Sequence, residues 1–216
     1  MSEVTTADNA GQTPVPPKAV RAVGAMHFTI GVMSLLTPER LEAACSFLRG
    51  LDLKALLREE AGTAVNTQVT EGGGDQPSRF KMTLSGLHPM QSTTKTSSLY
   101  IAPSDSPHAM TPFCLDLQSA FRTAGFLLPD TRPLKLHATI VNTIYTKEAR
   151  SGKKRWSKDS AKIDAMELIE KYKDYEWVRG MRIDRIAICE MGAKKIMEGE
   201  NIVDQVYTEV VSIPLP

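Results

Sequence analysis

Apolar and polar positions switch between two periods along this chain of 216 residues. Residues 26–36 and 134–145 are apolar, β-prone runs, HFTIGVMSLL and LKLHATIVNTIY at their hearts, and read as strands. Thr37-Pro38-Glu39 reads as a helix start: Thr caps, Pro takes the first turn and Glu favours the dipole. Leu41, Ala44, Cys45, Leu48, Leu51, Leu53, Leu56 and Leu57 then recur at helical spacing, predicting a helix to about residue 60 that Gly50 divides. Residues 79–90 alternate as a strand, with 97–101 as its hairpin partner. A helix is expected over 113–124, stopped by Gly125, and another from Ser160 to Tyr172. Residues 177–191 and 203–213 read as two further strands. Residues 1–22 are polar and Pro-rich and predict a disordered tail ahead of one domain over 23–216. Alternating helices with hairpin-like neighbours argue for an α+β fold with antiparallel or mixed sheets.

The alternation also places chemistry. On a strand, side chains alternate faces. His27 and Thr29 therefore share one face while Phe28 turns away, and His137 and Thr139 do the same around Ala138. Lys135 falls on the face of His137; its counterpart by spacing is Ala25, so that charge is unmatched. Each tripeptide is followed by a helix and then two strands, and the two lie 110 residues apart, which hints at duplication. A single H-x-T carries little information, because a lone strand histidine is usually structural. Two in matching contexts, holding half of the chain's four histidines, point to one cleft with two imidazoles and two hydroxyls. Histidine titrates near neutral pH, so such a pair can take a proton from water and give one to a leaving oxygen. The threonines can donate hydrogen bonds to phosphate oxygens. His88 and His108 neighbour prolines and read as surface or loop histidines, and Tyr100 and Tyr145 as ordinary strand aromatics, with base-stacking in the cleft as the alternative.

Composition narrows the field. The net charge of +1 announces no nucleic-acid or membrane partner in bulk, and no apolar stretch is long enough to span a bilayer. Cys45, Cys114 and Cys189 are isolated and read as reduced core thiols of an intracellular protein. Gly72-Gly73-Gly74 is not followed by Lys-Ser/Thr and is not a phosphate loop. Residues 146–159 hold Lys147, Arg150, Lys153, Lys154, Arg155 and Lys158 against Glu148 and Asp159, with Trp156 among them. This is a solvated basic loop, or a cleft-side contact for phosphates and a base.

The pair HFTIG and KLHATIVNT resembles the two H-x-[ST] signatures of the 2H phosphoesterase superfamily. It is most similar to the 2′,5′-RNA-ligase-like domain found in A-kinase anchoring protein 7 and activating signal cointegrator complex subunit 1. The resemblance implies a bilobal, pseudo-symmetric LigT-like α+β fold. It implies His27 and His137 as the catalytic pair, Thr29 and Thr139 as phosphate binders, and no metal or cofactor; the strand spacing adds the charge of Lys135 beside the phosphate. The expected activity is metal-independent hydrolysis of a 2′,3′-cyclic phosphate or a 2′,5′-linked oligonucleotide, in the nucleus or cytoplasm. The alternative is a non-catalytic nucleotide- or RNA-binding subunit of a cointegrator or repair complex. Expected partners are RNA or a nucleotide, possibly other subunits, and no membrane. Only a short Pro-containing segment precedes residue 26, so the first lobe is expected to lack a strand on its N-terminal side.

Overall fold

The computed structural model describes residues 15–57, 81–104, 110–146 and 162–215. Thr37 caps α1 (Pro38–Gly50) as its sequence predicts, its Oγ1 accepting the Arg40 amide at 3.3 Å. Gly50 ends the helix. Asp52 then opens α2 (Leu53–Leu56), accepting from the amides of Lys54 and Ala55 at 3.1 and 3.0 Å. In α3 (Met110–Thr123), Met110, Phe113, Cys114, Leu117 and Phe121 make one buried face. Gly125, at φ +74°, closes it: the Gly125 and Phe126 amides donate back to the carbonyls of Arg122 and Phe121, both at 3.0 Å. This double closure satisfies the carbonyls that the last turn leaves open. It also turns Phe126 back beside Phe47 of α1, which packs edge-on against Phe121 with ring centroids 5.0 Å apart.

Among the described residues every strand pairing is antiparallel, and with the helices this gives the expected α+β class. β1 (Lys81–Pro89), β2 (Ser98–Pro103), β3 (Ala138–Asn142) and β4 (Glu176–Arg182) form a sheet in the order β3-β2-β1-β4. β5 (Arg185–Cys189) pairs with β8 (Glu209–Pro214), and β6 (Lys194–Glu198) with β7 (Asn201–Val206). The short helix α4 (Met166–Lys171) packs on β1. One hydrophobic cluster runs from Val15 to Leu215 through the helices, the four-stranded sheet and the β5–β8 pair, with Leu48, Met82, Leu99 and Val141 fully buried. No described helix is long and apolar enough to cross a membrane.

Several expectations change. Residues 26–36 form an extended segment, not a strand; Met33 alone bridges, to Leu127. β-prone residues become a strand only where a ladder partner lies alongside, and here the backbone is held piecemeal, by Gln118 Nε2 of α3 on the Ile30 carbonyl at 2.7 Å and by the Leu128 amide on the Val32 carbonyl at 2.9 Å. The tail expected over 1–22 does not reach Val15. Val15 and Ala19 are in the core, Pro17–Ala19 makes a 3-10 turn, and Val20 bridges Val141 on the outer edge of β3. The strand read over 177–191 is β4 and β5, which lie in different sheets, and that over 203–213 is β7 and β8. β6 escaped notice because all five of its residues are exposed, so no apolar alternation marks it. Cys189 is exposed, unlike Cys45 and Cys114; burial pushes the Cys114 thiol up to about 11. Gly72–Gly74, His108, Ser160 and all of the basic loop but Thr146 lie outside the described residues.

Candidate functional site

Arg21, Ala25, His27, Thr29, His137, Thr139, Asn142 and Tyr207 line a cavity of about 90 Å³. The structure therefore brings together four of the five residues singled out from sequence. The alternation holds at both motifs: His27 and Thr29 are exposed while Phe28 and Ile30 pack against the core, and Ala138 and Ile140 are buried on either side of Thr139.

Both histidines are fixed in the same way. His27 Nδ1 lies 2.9 Å from the Ala25 carbonyl and His137 Nδ1 lies 2.7 Å from the Lys135 carbonyl, in each case two residues upstream. A carbonyl oxygen only accepts, so each Nδ1 carries the hydrogen and donates it. Each neutral ring then has Nε2 as a lone-pair acceptor, and each protonated ring has Nε2–H as a donor. A tyrosine edge braces each imidazole. The His27 and Tyr207 centroids are 4.7 Å apart at 72°, and those of His137 and Tyr100 are 5.2 Å apart at 69°. Tyr100 faces His137 because it is the cross-strand partner of Thr139 on β2.

The surroundings of the first motif depend on a close approach. The Gly24 amide donates to Asp204 Oδ1 at 3.1 Å, pinning the segment before His27 to the end of β7. A Cβ at Gly24 would fall 2.6 Å from Asp204 Oδ2 and 2.9 Å from the Gln205 carbonyl oxygen, so only glycine fits. This contact sets Ala25, whose carbonyl orients His27, beside Tyr207, which follows β7.

Lys135 is not among the cavity residues. Its ammonium sits 4.5 Å from the centroid of the Tyr100 ring, a cation–π contact. Lys135 therefore shares the Tyr100 ring with His137 but does not reach the cavity. Arg21, Asn142 and Tyr207 went unnoticed in the sequence. Asn142 accepts the Ile144 amide through Oδ1 at 3.2 Å, which leaves its NH2 as a donor. Among the described residues, the cavity lining thus includes a guanidinium, an amide, three hydroxyls (Thr29, Thr139 and Tyr207) and two imidazoles, and no carboxylate. Among the described residues, no group of three His, Cys, Asp or Glu side chains is placed to hold a metal ion.

His88 is a strand residue, not a loop one. β1 shifts register between Ser85 and His88, at Gly86 with φ +65°, and His88 stacks on Tyr100 at 5.4 Å. Burial, and then the positive charge of Lys135, hold its imidazole below the ordinary value near 6.5.

The family model for the AKAP7 2′5′ RNA ligase-like domain matches residues 13–208. No curated protein matches the sequence significantly. Among solved structures, that of E. coli LigT complexed with 3′-AMP is similar at 16% identity, over 93% of this chain and 83% of that chain, with a TM-score of 0.48.

Proposed function

The chain belongs to the AKAP7 2′5′ RNA ligase-like family of 2H phosphoesterases, and from that premise we propose that it hydrolyses RNA-type phosphodiesters, a 2′,3′-cyclic phosphate or a 2′,5′ linkage. The observation that carries the reading is the matched pair of imidazoles, each held through Nδ1 by a carbonyl two residues upstream, in a cavity with no carboxylate.

In this reading, neutral Nε2 of one histidine takes a proton from water as the oxygen attacks phosphorus. The bond from phosphorus to the leaving ribose oxygen breaks, and protonated Nε2 of the other histidine gives that oxygen its proton. The product is a phosphomonoester with a free ribose hydroxyl, and one proton has crossed the site. Thr29, Thr139 and Asn142 supply neutral donors for the non-bridging oxygens, where charge gathers in the transition state. The fixed carbonyl partners keep each ring in the tautomer its task needs, and reversing the direction of attack exchanges the two roles. A cavity of about 90 Å³ is far smaller than the roughly 300–1,000 Å³ of a pocket that encloses a drug-sized ligand. It encloses a phosphate-sized group and leaves base and sugar outside.

The test is turnover of a 2′,3′-cyclic mononucleotide and a 2′,5′-linked oligoadenylate with EDTA present. Conversion of either to a monoester is the expected result. A chain that binds a nucleoside monophosphate yet leaves both substrates intact is instead a nucleotide- or RNA-binding subunit, and the enzymatic reading falls.

A further inference from the structure

Arg21 is the one cation among the described residues that line the cavity. It precedes His27 by six residues, yet its backbone belongs to the other half of the site. Its amide donates to the Ile140 carbonyl at 2.8 Å, next to the Val20–Val141 bridge, so the segment rides on the outer edge of β3. That is the strand that carries Thr139 and Asn142. Arg21 keeps only 9% of its surface exposed and is one of four polar or charged residues that are buried among the described residues.

We propose that Arg21 is the phosphate anchor of the site, its guanidinium contacting the non-bridging oxygens of the bound phosphodiester. Three observations converge on this. Arg21 lines a cavity whose other described lining residues offer hydrogen-bond donors and no carboxylate. Its planar fork fits two oxygens of one phosphorus, which a single ammonium cannot match. The rigid strand edge beneath it fixes where that phosphorus lies relative to Thr139, so the anchor belongs to the second motif in space and to the first in sequence. Lys135, directed onto Tyr100, leaves this role to Arg21. Because phosphomonoesters present the same oxygens, the anchor also holds inorganic phosphate and reaction product. This inference deepens the phosphoesterase reading and rests on it for the identity of the substrate.

The experiment compares wild type, Arg21→Met and Arg21→Lys in two assays. The first is the rise in melting temperature caused by inorganic phosphate, which reads binding without turnover. The second is KM and kcat on a 2′,3′-cyclic nucleotide. The expected result is a phosphate-dependent rise in wild type, none in Arg21→Met and a partial one in Arg21→Lys. The expected fall in kcat/KM for Arg21→Met is about 10–100-fold, much of it in KM, as for the loss of a charged hydrogen-bonding group. Phosphate stabilisation and KM equal to wild type in Arg21→Met overturn the proposal. If that variant does not fold, wild-type phosphate affinity in Arg21→Lys overturns it. Normal turnover with phosphate binding indifferent to Arg21 removes the anchor and keeps the enzyme. Arg21-dependent phosphate binding without turnover keeps the anchor and removes the enzymatic reading.

Discussion

The two H-x-T segments present the same side chains from different supports. His137 and Thr139 stand at the start of β3, whose carbonyls and amides are shared with β2 on one side and with the segment at Val20 and Arg21 on the other. His27 and Thr29 stand on an extended segment with one β-bridge. That segment is held from outside by Gln118 on the Ile30 carbonyl, by the Leu128 amide on the Val32 carbonyl at 2.9 Å, and by Arg40 Nε on the Ser34 carbonyl at 3.0 Å. Yet the rings are anchored alike, each by its own backbone two residues back and each with a tyrosine edge. What repeats is the local geometry of the tripeptide. The scaffold beneath it is free to differ, because the lock on each histidine is internal to its own segment.

If the two segments are equals in chemistry, His27→Ala and His137→Ala should each lower kcat by about 10²–10⁴. A large loss at one and a small loss at the other, read by steady-state kinetics, would break the equivalence. If they differ in support, perturbing the first segment from outside should leave the second untouched. Gly24→Ala drives a methyl into Asp204 and the Gln205 carbonyl, at a cost of about 1–3 kcal/mol, and should reduce activity by displacing Ala25. Hydrogen exchange should quicken over residues 23–36, and equal quickening in β1 and β2 would contradict the picture. Gln118→Ala removes a smaller prop, about 0.5–1.5 kcal/mol, and should loosen residues 28–34 alone in the same measurement.

The smallest effect belongs to the second half. His88 is held below its ordinary value, so between the folded value and 6.5 the unfolded chain binds more protons than the folded one. Stability therefore rises with pH across that window and levels off above it. Lys135→Ala removes the second of the two causes, so the His88 titration, followed by NMR, should move up toward 6.5 and the pH dependence should flatten. A downward move would show that Lys135 does not act on His88 through its charge.

The parts of this site legible in the sequence are those that local periodicity controls. His27, Thr29, His137 and Thr139 share their faces because extended backbone alternates whether or not a ladder forms, and Gly50, Thr37 and Gly125 mark helix ends through their own backbone chemistry. Arg21 was hidden in a Pro-rich stretch with no periodicity; only its docking on β3 gives it meaning. Tyr207 lies 180 residues from the ring it braces, and nothing local distinguishes it from other tyrosines. Lys135 shares the Tyr100 ring with His137, but periodicity gives only its face and not how far along the segment the cavity extends. β6 carries no apolar alternation because all five of its residues are exposed.

The central claim is that two differently supported imidazoles work as one acid–base unit. The most direct test is kcat on a 2′,3′-cyclic nucleotide for His27→Ala, His137→Ala and the double variant. Groups that act as a unit are lost together, so the double variant should be scarcely slower than either single one. Multiplication of the two single losses, or either single variant retaining most of the wild-type rate, would contradict the account.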